Sequence, residues 1–133
     1  MAAYSIANLK ARLLRAPVLE PIKKIVRDVA DSLYRVDTQE LTATGAVTEG
    51  VQVVQLNHAT VVAAATIADF ANHAGIFIVE NTSGSGTAAH TLTLTSGTFN
   101  GTNNVATLNA PGERLVCVVD KDGNGRVIVN TGA

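Results

Sequence analysis

The hydrophobic period of the chain changes near residue 40, and that change constrains the fold more than any other feature. From Leu41 to the C-terminus, segments of five to eight residues rich in Val, Ile and Thr alternate with clusters of Gly, Asn, Ser and Asp. This is the pattern of short strands between tight turns. Strands are expected near 41–44, 51–57, 60–66, 76–81, 90–96, 104–108, 113–119 and 126–130. Thr91-Leu92-Thr93-Leu94-Thr95 alternates strictly, which puts Leu92 and Leu94 on a core face and the threonines outside. Arg114-Leu115-Val116-Cys117-Val118-Val119 is a continuous apolar run after its Arg and predicts a central strand buried on both faces. Thr82-Ser83-Gly84-Ser85-Gly86-Thr87, Phe99 to Asn104 and Asp122-Gly123-Asn124-Gly125 supply the turns. About eight short antiparallel strands at this spacing predict a mainly β domain over 39–133, of jelly-roll, β-sandwich or barrel-like form.

Ahead of that change the period is helical. Ile6, Leu9, Leu13 and Ala16 share one face of a helix expected over 5–16, which Ser5 caps and Pro17 stops. Ile22, Ile25, Val26, Val29 and Leu33 form the stripe of a second helix over 21–34, with Pro21 in its first turn. Lys23, Lys24, Arg27, Asp28 and Asp31 fall mainly on the opposite face. Residues 1–38 thus read as an N-terminal helical arm. Its stripe either covers the core of its own domain or docks on a partner.

Charge separates the same two regions. Residues 1–37 hold seven Lys and Arg against four Asp and Glu, a net +3, whereas residues 38–133 hold three against seven, a net −4. A basic arm on an acidic body suits docking on an acidic surface. The arm's cations are not interleaved with aromatics, and +3 gives little counterion release, so no direct nucleic-acid partner is expected. No stretch reaches the ~18 apolar residues of a membrane span, so no membrane partner is expected either. Aromatics make up only 4% of the 133 residues, so the core is expected to consist of small branched side chains. Each buries little area, and association of copies is one way such a domain recovers stability.

The chemistry-bearing residues do not assemble into a motif. Cys117 is the only cysteine, so no intrachain disulfide forms, and its apolar neighbours mark a core residue rather than a nucleophile. His58, His73 and His90 lack zinc-ligand spacing, and Ser83-Gly84-Ser85-Gly86 lacks the strand-to-helix setting of a nucleophile elbow. Asp120-Lys121-Asp122-Gly123-Asn124-Gly125 begins like a calcium loop, but Thr131 stands where the bidentate Glu belongs. A hairpin turn is the simpler reading, with a weak cation site at Asp120, Asp122 and Asn124 as the alternative. No catalytic residue, metal ligand or cofactor is therefore assigned, and the chain is not expected to be an enzyme.

Several stretches carry a resemblance. Thr60 to Asp69 is Thr- and Ala-rich. Ala74-Gly75-Ile76-Phe77-Ile78-Val79 follows, then a Gly/Ser/Thr loop from Asn81 to Thr87, then the alternating strand His90 to Thr95. A last hairpin runs from Gly112 through Val129. Over roughly 41–130 the chain resembles bacteriophage capsid decoration (cement) proteins and related head- or tail-fibre β domains. Those domains often end on an aromatic in the last strand, where this chain has Val127-Ile128-Val129. The resemblance implies a virion structural protein on the capsid surface, a trimer that bridges major capsid protein subunits. The arm is then its natural anchor, through Ile22, Ile25, Val26, Val29 and Leu33 with Lys23, Lys24 and Arg27. The alternative is a fibre module that binds a host receptor or glycan through loops 82–88 and 97–104.

Overall fold

The computed structural model describes residues 20–34 and 36–131. The helix expected over 5–16 lies outside them, as do the side chains from residue 30 to 34, Leu33 included. The chain divides into two compact units, Met1–Arg35 and Val36–Ala133.

In the first unit, helix α1 spans Glu20–Tyr34. Pro21 sits in the first turn, where its missing N–H costs nothing. Glu20 complements the positive helix start and pairs with Lys23 at 3.5 Å, and Lys24 pairs with Asp28 one turn on at 2.6 Å.

The second unit is mainly β, with ten strands in two sheets. They are β1 (Thr38–Leu41), β2 (Gly45–Ala46), β3 (Val53–Leu56), β4 (Ala64–Ile67), β5 (Gly75–Asn81), β6 (His90–Leu94), β7 (Thr98–Phe99), β8 (Val105–Leu108), β9 (Arg114–Val119) and β10 (Asn124–Thr131). The larger sheet has the order β1-β3-β5-β9-β10-β7, and the smaller β2-β4-β6-β8. From β1 to β8 the chain alternates between the sheets at every step. Strands β1, β3 and β5 therefore meet in parallel, as do β2, β4 and β6. Only later does the chain fold back, pairing β8 with β6, β9 with β5 and β10 with β9 in antiparallel fashion.

This corrects the expected all-antiparallel arrangement. Between β1 and β6 each intervening strand serves as a crossover that returns the chain to its own sheet in the original direction, whereas after β7 the chain re-enters the smaller sheet as β8, antiparallel to β6. Alternation of residues reports which face is buried and is silent on strand direction. Two expected strands also move: the first lies at Thr38–Leu41 rather than 41–44, and residues 60–63 form a turn before β4. Strand β9 is not buried on both faces; Leu115, Cys117 and Val119 point into the core while Val118 is exposed.

One hydrophobic cluster draws on both sheets, with Val54, Leu56, Phe77, Val79 and Cys117 from the larger and Ala65, Ile67, Leu92, Leu94 and Leu108 from the smaller. Its centre is aromatic, contrary to the expectation of small branched residues alone. All three Phe of the chain meet there. Phe70 makes edge-on contacts with Phe77 at 5.1 Å and Phe99 at 5.5 Å, geometries worth about 0.5–1.5 kcal/mol each beyond area burial. Phe70 opens a short 3-10 turn, Phe70–His73, whose start is capped by the Asp69 carboxylate accepting the Ala71 amide.

Candidate functional site

The arm residues singled out from the sequence all belong to α1. Ile22, Ile25 and Val29, spaced three and four residues apart, are exposed, and Val26 beside them is half-buried. Lys24 and Arg27 are exposed and Lys23 is half-buried. Geometry on this helix is that of an aliphatic stripe with cations turned away from it. Among the described residues, no helix is long and apolar enough to cross a membrane.

The three histidines do structural work at strand ends. His73 donates through Nδ1 to the Val51 carbonyl at 2.6 Å and stacks edge-on against Phe77. His58 Nδ1 accepts the amides of Thr60 and Val61, at 3.1 and 2.8 Å. His90 is fully buried, and its Nδ1 accepts the Ala63 amide at 3.0 Å. Two imidazoles thus hold the turn between β3 and β4 by accepting backbone N–H groups. The Ala59 carbonyl accepts the Thr87 and Ala88 amides and so straps the Gly/Ser loop to that turn. Among the described residues, no group of three or more His, Cys, Asp or Glu is placed to hold a metal ion.

The Asp120 turn is a hairpin held by its own carboxylate. Asp120 Oδ1 accepts the Asp122 amide at 2.8 Å and the Asn124 amide at 3.0 Å. These bonds hold the Asp120 carboxyl below its usual range. Cys117 lies in the core, where burial pushes its thiol up to about 12.

Two surfaces of the β unit remain. One is a cleft of about 290 Å³ lined by Phe99, Asn100, Asn103, Thr107, Leu115 and Asn130 with neighbouring aliphatics. No ionisable side chain lines it, and amides supply most of its polar groups. Loop 97–104 contributes to this cleft; loop 82–88 does not. The other surface is the outer face of the larger sheet. Cross-strand partners place Val53, Ile78, Val116 and Val129 in one row over four strands, with Ile76 and Val118 beside it. The sequence expectation of a doubly covered β9 hides this face. The signal available was the alternation of Ile76 and Ile78 with Phe77 and Val79 in β5.

Comparison of the chain with protein-family models, with curated proteins and with solved structures finds no match.

Proposed function

We propose that the chain is a virion structural protein, a capsid decoration or cement protein that binds the outer capsid surface as a trimer and stabilises contacts between major capsid protein subunits. The observation that carries this reading is helix α1, with Ile22, Ile25 and Val29 exposed along one side and Lys24 and Arg27 exposed away from it. Such a helix fits a groove with an apolar floor and acidic walls, the helix-in-groove mode of attachment. A β unit with two sheets around one core, read here as sandwich-like, gives the arm a rigid body to present. Cementing draws on many simultaneous weak contacts, so modest affinity per copy is enough.

The test is sedimentation of the purified chain with undecorated capsids of the phage that encodes it. Deleting residues 1–37, or introducing Ile25→Asp with Val29→Asp in the full chain, abolishes co-sedimentation. If the shortened chain binds as well as the full one, attachment by the arm is wrong.

A second reading, a fibre module for a host receptor or glycan, is favoured by the uncharged, amide-lined cleft at Phe99, Asn100 and Asn103. Amides over an apolar floor suit a neutral polyhydroxylated ligand. Loss of glycan binding on Asn103→Ala, with capsid binding unchanged, would select this reading.

A further inference from the structure

We propose that the outer face of the six-stranded sheet is the surface through which copies of this chain associate. The inference rests on the oligomeric reading above and names the interface it requires. The face is apolar where an outer face is usually polar. Val53, Ile78, Val116 and Val129 are successive cross-strand partners on β3, β5, β9 and β10. Ile76 and Val118 are partners in the next row, and they are 61% and 42% exposed. Every one of these six residues is β-branched, which makes a stiff, flat surface that loses little side-chain entropy when covered.

The size and the charges of this face say what covers it. Six such side chains, each covering about 4.8 Å by about 6.6 Å of the face, give roughly 200 Å² of aliphatic surface. A stable interface takes about 800 Å² from each partner, an apolar centre within a polar rim. The aliphatic rows therefore supply the centre and need a charged rim to complete them. That rim is polarised across the sheet. One polar row runs Glu40, Gln55, Glu80, Arg114 and Thr131 on β1, β3, β5, β9 and β10. Gln55 donates to Glu80 along it at 3.3 Å. Arg126 adds a second cation beside Val118 on β10. The β1–β5 side is thus acidic and the β9–β10 side basic. A partner that matches this surface is aliphatic at its centre, with the opposite charge opposite each side. A second copy meets those requirements when copies are arranged about an axis, with the basic side of each face against the acidic side of the next.

The experiment is the solution mass of the full chain by light scattering, alone and with Ile76→Lys plus Val118→Lys. Both positions are exposed in the single chain, so the substitutions leave the core intact, and an unchanged circular dichroism spectrum checks this. The unsubstituted chain is expected to run as an oligomer and the doubly substituted chain as a folded monomer. An oligomer that survives both lysines places the interface elsewhere and overturns this inference while the oligomeric reading stands. A monomeric unsubstituted chain overturns that reading, and this inference with it. A second measurement uses charge alone. Arg126→Glu is expected to weaken association at least tenfold and Arg126→Lys to leave it unchanged. Unchanged association in the Glu variant overturns the proposed polarity.

Discussion

The buried His90 ring accepts the Ala63 amide through Nδ1 at 3.0 Å, and this bond exists only while that nitrogen is unprotonated. Its Nε2 has no hydrogen-bond partner among the described residues. Desolvation lowers the pKa of the ring below 6.5, and the main chain of His58 opposes this shift in part. His58 is also the titratable group that acts on the ring, and it disfavours a second charge. The unfolded chain therefore takes up the His90 proton first as pH falls. Stability is complete above pH 6.5 and declines below it, toward the folded-state pKa. Thermal unfolding followed from about pH 8 to about pH 5 should show this fall. His90→Asn, whose Oδ1 replaces the acceptor without a titration, should flatten the profile. An unchanged slope in that variant would remove His90 as the cause.

Asn81 ties the two sheets together and should be costly to replace. From β5 its amide nitrogen donates to the Leu108 carbonyl at the end of β8, at 3.4 Å. Its Oδ1 accepts both the amide and the hydroxyl of Ser83. Asn81→Leu keeps the volume but leaves the buried Ser83 donors unpaired, a loss of about 2–4 kcal/mol. Chemical denaturation measures this. A loss under 1 kcal/mol (roughly one ordinary hydrogen bond) would mean that water replaces the amide.

Much of the β unit was legible from residue 41 onward because burial follows alternation. Leu92, Leu94 and Leu108 face inward as the period-2 pattern requires. Strand direction was not legible, since Val53 to Leu56 reads the same whether its neighbour runs with it or against it. Residues 60–63 misled because Val61 and Val62 carry strand propensity but form a turn held by His58 and His90. Propensity yields there to side-chain acceptors contributed from 27 residues away in the case of His90. Phe70 was hidden in a turn-rich stretch, although it is the centre of the core. The helix over 21–34 was legible because the stripe and Pro21 both mark it.

Gly97 should be far less replaceable than Gly101, although both hold positive φ. A Cβ on Gly97 would lie 2.6 Å from the Gly123 carbonyl oxygen and 2.7 Å from Phe70 Cβ, whereas Gly101 faces open space. Gly101→Ala then reports backbone strain alone, about 1 kcal/mol. Gly97→Ala adds crowding against the Gly123 carbonyl and Phe70 Cβ, a further ~1–3 kcal/mol. Equal melting temperatures for the two variants would show that the Phe70 turn shifts freely.

The Asp120 turn should ignore calcium. Asp120 Oδ1 is occupied by two backbone amides, and its pKa is lowered by those bonds. The stabilisation is present above the ordinary value of 3.8 and lost as pH falls through the lowered folded value. Millimolar Ca²⁺ is expected to leave the melting temperature unchanged, and Asp120→Ala to lower it with or without the ion. A rise in melting temperature on adding Ca²⁺ that Asp120→Ala abolishes would restore the cation site.

Cys117 offers a built-in reporter of opening at the centre of the larger sheet. It lies on β9, between Phe77 on β5 and Val127 on β10, and is fully buried. Its thiol pKa is raised from 9.0 to about 12, so at neutral pH the native thiolate fraction falls about a thousandfold. A soluble thiol reagent can react only after the core between the sheets opens or β9 loses a neighbouring strand. Because β9 has a strand on each side, that opening approaches global unfolding. Labelling in buffer is expected to be slow, with a denaturant dependence whose slope matches that of equilibrium unfolding. Rapid stoichiometric labelling of the folded protein would show instead that β9 and β10 separate on their own. In that case the row Val116–Val129, on the face assigned here to self-association, would not be a fixed surface.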